Sequence, residues 1–288
     1  MRRLALVASL MLACAGACAA AAPEPPHRVF ALVAAMGDWL SAVHEVQSTG
    51  SHLAPYRRRA LRMPDDGINK LVLGSLDAAV KSVEPSSDRV YLSVRVPKEA
   101  QDRPSSLDSA AFAFAVGILR KMPERERWSR IIVVTPAWRT RGDDGLARGM
   151  QGLGVFTEPL CQGGDNPQQP GLRPCDTRSR PATQGVRAHT PGGETEAAAR
   201  YVAPYLFAKV WILDPATLAV VDTQEIFDHE KLFDPDSTAV DVNRMIDPKT
   251  LAARIERLVE TSTLEAVRRS ELRGTVDVKE RGEVNPAR

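Results

Sequence analysis

The sequence predicts an α/β fold of the α+β kind: a single mixed sheet with packed helices, broken by a long insertion that carries a disulfide. Three observations predict it. Stretches whose apolar residues alternate are interleaved with longer stretches whose apolar residues recur at helical spacing. The run Ile131-Ile132-Val133-Val134 is continuous and apolar, as in a strand covered on both faces. The segment from Tyr205 to Ile226 reads as two strands around an Asp-Pro turn. No internal repeat or compositional break divides the 288-residue chain, so residues 22–288 are expected to form one domain behind a leader at 1–21.

Taken in order, Val29 to Met36 is an apolar, strand-like run broken by Gly37-Asp38, and Trp39 to Val46 alternates loosely. Two strands around a Gly-Asp pair read as a hairpin, because Gly takes the positive φ that such turns need. Ser48 to Met63 is polar, holds Pro55, and reads as a loop. Pro64-Asp65-Asp66 opens a helix with an Asp as N-cap, followed by Ile68, Leu71, Val72, Leu76, Ala79, Val80 and Val83 at helical spacing. Arg89 to Val96 alternates as a half-buried strand. A second helix, capped by Ser105 or Ser106, carries the stripe Leu107, Ala111, Phe114, Ala115, Ile118, Leu119 and Met122. Ile131 to Val134 is the central strand, stopped by Pro136.

From Trp138 the character changes, and residues 139–199 read as the insertion. Gly, Pro, Gln, Arg and Asp dominate it, and only Leu153 to Leu160 looks like a strand. The glycine-rich stretch Gly149 to Gly154 reads as flexible. After it, Tyr205 to Leu213 and Leu218 to Ile226 flank the turn Asp214-Pro215-Ala216-Thr217, the clearest hairpin in the chain. Asp247-Pro248 starts the last helix with a cap and an N1 proline. Leu251, Ile255, Leu258, Val259, Leu264 and Val267 form its apolar stripe, Gly274 ends it, and residues 275–288 read as a frayed tail.

The first residues have the three parts of a secretory signal: Arg2-Arg3, an apolar stretch from Leu4 to about Ala17, and small residues that fit cleavage after Ala19 or Ala21. The apolar stretch falls short of the roughly 20 residues a bilayer span needs. Cys14 and Cys18 are the candidates for a lipid anchor. Leu12 is too large for its slot in the signal before Cys14, and Cys18 lacks a bulky residue ahead of it. Cleavage leaves Cys161 and Cys175. In an oxidising compartment this pair is expected to form a disulfide, worth about 3 kcal/mol on a chain-entropy argument. The alternatives are free thiols or half a metal site, but the spacing is too wide for a CxxC knuckle. The formal charge of +2 includes Arg2 and Arg3, so the processed chain is near neutral and nothing suggests a nucleic-acid binder. Arg57-Arg58-Arg59 with Arg62 is the basic cluster, read as a solvated loop.

Signals for chemistry are sparse. None of His27, His44, His52, His189 and His229 forms HExxH or another metal spacing. There is no GxSxG elbow, Walker A loop or GxGxxG, so no cofactor is expected. An enzymatic alternative remains: a hydrolase built on Asp38, His44 and His52, with or without a metal. The other candidate surface is one for a partner. Trp138, Arg139, Arg141, Tyr205 and Trp211 flank the insertion and the last hairpin, and exposed aromatics and arginines mark interfaces.

The pattern Tyr205-Leu206-Phe207-Ala208-Lys209-Val210-Trp211-Ile212-Leu213-Asp214, a turn, then Leu218-Ala219-Val220-Val221-Asp222 resembles a hairpin of certain envelope domains. These include the amino-terminal domain of the Tol-Pal translocation protein, the curli-secretion lipoprotein and the lipoprotein activators of penicillin-binding proteins. The resemblance implies an α/β partner-binding domain in the envelope and transfers no site residue. The expectation is therefore an exported protein, periplasmic or secreted, that binds another envelope protein.

Overall fold

The computed structural model describes residues 27–45, 56–97, 107–139, 150–157, 186–198, 201–239, 242–270 and 272. Apolar and alternating runs become strands β1 (Val29–Ala34), β2 (Trp39–Glu45), β4 (Asp88–Ser93) and β5 (Arg130–Pro136), and the basic stretch becomes β3 (Tyr56–Arg62). Further on come β6 (Trp138–Arg139), β7 (Met150–Thr157), β8 (Val186–His189), β9 (Thr195–Ala198), β10 (Val202–Leu213) and β11 (Val220–His229). The amphipathic stretches become helices α1 (Gly67–Val83), α2 (Leu107–Leu119) and α3 (Pro248–Arg269). The result is an α+β fold on one nine-stranded mixed sheet, with β8 and β9 forming a small separate ribbon.

The sheet is forked. β10 pairs with β11 along one edge and shares its other edge between two strands: Val202–Phe207 with β7, and Ala208–Leu213 with β5, all antiparallel. One arm continues from β5 through β1 to β4, all parallel. The other continues from β7 to β2, parallel, and to β3, antiparallel. Two glycines take left-handed backbone: Gly37, where the chain passes from β1 to β2 (φ +81°), and Gly152, within β7 beside Pro136 (φ +60°).

This topology corrects three sequence expectations. β1 and β2 do not pair; Gly37-Asp38 carries the chain across the fork instead of folding a hairpin. The expected loop holds β3, because its residues pair with β2 from Trp39 to Glu45. Of the glycine-rich stretch Gly149 to Gly154, expected to be flexible, the residues from Met150 on lie in β7, inside the main sheet. The insertion therefore supplies a sheet strand. The expected hairpin at Asp214 forms as β10–β11. Thr217 donates its backbone and hydroxyl hydrogens to the Asp214 carboxylate, both at 2.8 Å, and these bonds hold that carboxyl below its usual pKa. The last helix also starts as expected, with the Asp247 carboxylate accepting from the Thr250 backbone N–H at 3.0 Å. It ends at Arg269; Gly274 and the tail lie outside the described residues, as do Ser105 and Ser106.

Helices cover both faces of the β4–β1–β5 arm. Phe30, Leu32 and Ala34 point from β1 toward α1 and α3, while Ala31 and Val33 point toward α2. A third cluster fills the other arm, where Tyr205 and Phe156 are fully buried. Among the described residues no helix is long and apolar enough to cross a membrane.

Gly154 faces Tyr205 across the β7–β10 ladder, and a Cβ there would collide with the Ser41 carbonyl and the Tyr205 hydroxyl. Gly154→Ala is expected to destabilise the fold by about 3 kcal/mol, read as a lower urea midpoint at unchanged slope. The Tyr205 hydroxyl and Ser41 Oγ are buried, and neither completes a hydrogen bond. Burial pushes the Tyr205 phenol up to about 12; the nearby Ser41 hydroxyl, the Arg58 charge and the Gln151 backbone offset this only in part. The folded state therefore holds this proton more tightly than the unfolded chain. Its contribution is complete below pH 10.0 and is lost as pH rises toward about 12. Tyr205→Phe should abolish that alkaline loss, of order 2–3 kcal/mol. At neutral pH it should leave stability within about 1 kcal/mol of the native chain.

Candidate functional site

In an open sheet with helices on both faces, ligands seat at the carboxyl ends of the parallel strands. Here β1 is flanked by β4 and β5, with α1, which leads into β4, packed on one face and α2, which leads into β5, on the other. At the carboxyl ends of β1 and β4 lies a crevice of about 620 Å³. Gly37, Asp38 and Trp39 line it from the β1–β2 crossing, and Arg62 and Met63 from the end of β3. Asp65, Asp66 and Asn69 line it from the start of α1, and Arg95 from beyond β4.

Its floor is a fixed polar network. Asn69 is fully buried. Its Oδ1 accepts from the Met36 backbone N–H at 2.9 Å. Its Nδ2 donates to Asp66 Oδ1 at 2.9 Å, to Ser93 Oγ at 3.0 Å and to the Val94 carbonyl at 3.3 Å. Ser93 Oγ donates in turn to the other Asp66 carboxylate oxygen. Asp66 is the residue before α1, as the sequence suggested, but its side chain caps no backbone N–H. The network has claimed it. On the opposite wall Arg62 Nε donates to Asp38 Oδ2 at 2.8 Å. Asp65 and Arg95 stand exposed at the rim.

The backbone at the mouth is strained. Asp65 and Asp66 both take left-handed φ, 53° and 60°. Asp tolerates this better than most residues, yet each such position still costs on the order of 1 kcal/mol. Placing two carboxylates against the N-terminus of α1 is electrostatically favourable and offsets part of that.

The structure does not assemble the hydrolase set. Asp38 and His44 stand at opposite ends of β2, six residues of extended chain or about 20 Å apart. Asp38 is committed to Arg62, and His44 Nδ1 lies 2.5 Å from Thr157 Oγ1. His52 lies outside the described residues. Among those described, no group of three or more His, Cys, Asp or Glu side chains is placed to hold one metal ion.

The expected partner surface also changes. Tyr205 is fully buried and offers no surface. Trp211 stacks on Phe112 with ring centroids 4.2 Å apart, donates to Thr135 Oγ1 at 3.0 Å, and carries Lys209 Nζ over its other face at 4.4 Å. It is packing, half-covered. Trp138 is half-buried and, with Arg139, forms the short pairing of β6 with β7. Arg141 and all four cysteines, Cys14, Cys18, Cys161 and Cys175, lie outside the described residues.

Sequence reasoning missed Asn69, Asp66, Ser93 and Arg95 as a set. One signal was readable: Asn69 sits on the apolar stripe that continues through Val72 and Leu76, and a buried amide must find partners. Asn69→Ala is expected to cost about 2–4 kcal/mol in urea denaturation, since it strands the Met36 N–H and the Asp66 carboxylate together. Ser93→Ala, which leaves the amide paired, should cost under about 1 kcal/mol.

No family model matches the sequence, and no curated protein matches it. Among solved structures, a Xanthomonas campestris protein of DUF330 aligns over 85% of this chain and 86% of its own, at 10% identity and a TM-score of 0.31. A neuraminyllactose-binding hemagglutinin homolog from Helicobacter pylori aligns over 86% of each chain, at 7% identity and a TM-score of 0.33. At that level of agreement these likenesses carry no argument about activity.

Proposed function

We propose that this chain is an exported protein of a bacterial envelope, periplasmic or secreted, that binds another envelope component rather than turning over a substrate. The observation that carries the reading is the paired left-handed backbone at Asp65 and Asp66, on the mouth of a crevice whose floor is already fully hydrogen-bonded. Strain of this kind persists where surrounding contacts over-determine it, and it gathers where a ligand is met. The crevice presents fixed charges of both signs, Asp65 and Arg95 at the rim and the Asp38–Arg62 pair on the wall. Preformed, mixed-charge surfaces suit selective recognition, because a partner with the wrong charge pattern meets unpaired like charges.

Export is supported by the Arg2-Arg3 start, the short apolar stretch and the small-residue exit. The β10–β11 hairpin, on which the sequence resembles envelope partner-binding domains, forms as an antiparallel pair, and this too supports the reading.

The test is affinity purification of the full chain from a bacterial envelope extract, beside the double variant Asp65→Asn, Arg95→Glu. Both positions are exposed, so the variant should keep its melting temperature. The native chain is expected to retain a specific protein that the variant recovers at least about tenfold less well, a loss of roughly 1.4 kcal/mol. Equal recovery by both, or no enriched partner, would count against the proposal.

A further inference from the structure

The basic cluster read from sequence as a solvated loop is a strand on the rim of the sheet. Among the described residues β3 pairs only with β2, so its outer edge offers unpaired backbone N–H and C=O groups. Arg58, Arg59, Ala60, Leu61 and Arg62 are all exposed. Tyr56–Arg62 contains Arg57, Arg58, Arg59 and Arg62 and no acid. The charges lie on both faces: Arg58 shares a face with its ladder partner Val43, and Arg59 shares the opposite face with Ala42. Arg58 reaches Gln151 at 3.2 Å and Arg62 reaches Asp38, whereas Arg59 has no ion pair or hydrogen bond among the described residues.

We infer that β3 is a strand-addition site for an acidic, extended segment of a partner protein. The inference rests on the reading of this chain as a partner-binding protein, but it uses a different surface. Three physical points select that occupant. A free strand edge gives a peptide its main-chain hydrogen bonds, and side chains on alternate faces of the added strand meet the arginines on alternate faces of β3. A flat anionic membrane could meet only one face, leaving Arg58 or Arg59 turned away. A second β3 would lay arginine against arginine, which opposes self-pairing. An acidic segment is the chemistry that matches both the edge and its charge.

The test uses the full chain and a fluorescent peptide of repeated Glu-Glu-Val-Val, which puts carboxylates on both faces of an added strand and is long enough to span β3, with fluorescence anisotropy as the readout. Binding should weaken with added salt. It should fall at least about tenfold in Arg58→Gln, Arg59→Gln, and in a peptide with Pro in place of each Val, which keeps the charge and removes backbone donors from both edges of the peptide. A control at the exposed end of α3, Arg268→Gln, should bind like the native chain. Should the double variant fail to fold, Arg59→Gln alone tests the same point, because Arg59 has no ion pair or hydrogen bond among the described residues. The crevice variant Asp65→Asn, Arg95→Glu should keep peptide binding, so failure of one site is distinguishable from failure of the other. Four results would overturn the inference: no binding of the Glu-Val peptide; equal binding of its proline form; equally tight binding of phosphatidylglycerol vesicles through the same arginines; or salt-sensitive self-association through β3 and the acidic edge strand β11.

Discussion

One buried amide joins the parts of this fold that sequence places far apart. Asn69 has a single acceptor oxygen and two N–H donors. The structure directs the oxygen at the end of β1, through the Met36 N–H, and the nitrogen at Asp66 and at the end of β4, through Ser93 and Val94. Met36 can only donate and the Asp66 carboxylate can only accept, so the amide fits one way round. This bond set fixes where α1 begins relative to the carboxyl ends of two strands. The shape of the crevice follows from it, because Asp66 spends its carboxylate on the network and is unavailable as a helix cap. Around a fully buried amide the network is worth more than its separate bonds, and leaving part of it unmade is correspondingly expensive.

The fork in the sheet is the second constraint. β10 is long enough to give half of one edge to β5 and half to β7. The two arms then diverge, and the chain must cross between them at the mouth of the divergence. At the passage from β1 to β2 a residue without Cβ turns cheaply, which explains Gly37. The crossing at Gly37 delivers Asp38 and Trp39 into the crevice, and the far arm delivers Arg62. The wall of the site therefore comes from one arm and its floor from the other. The same fork leaves β3 as the outer strand of its arm, with its arginines facing solvent on both sides.

Much of this was legible locally and some was not. α1, α2, α3, the β10–β11 turn and the buried strand β5 follow from periodicity, caps and turn chemistry, all properties of neighbours in sequence. β3 was unreadable because a strand at the rim buries neither face, so Arg57 to Arg62 show no alternation for a pattern to find. β7 was readable from Leu153 onward, but its start was missed because Gly152 and Gly154 usually signal flexibility, whereas here Gly154 is required by the Tyr205 ring that lies against it. Tyr205 and Trp211 read as surface aromatics, since composition does not record which side of a strand faces a helix. Of the site, Asp38 was noticed as a strand-end carboxylate, but its partner Arg62 belongs to a strand that the sequence hides.

By itself the sequence determined the helices, the principal hairpin and the α+β class, because each depends on residues within a few positions of one another. The tertiary structure alone decided that β1 and β2 part company, that a long strand divides its edge between two arms, and that Asn69 closes the crevice floor. Those outcomes depend on hydrogen bonds between groups dozens of residues apart, whose partners are selected by burial after the chain has collapsed. A local pattern can say that a polar group will be buried; it cannot say which distant group will satisfy it.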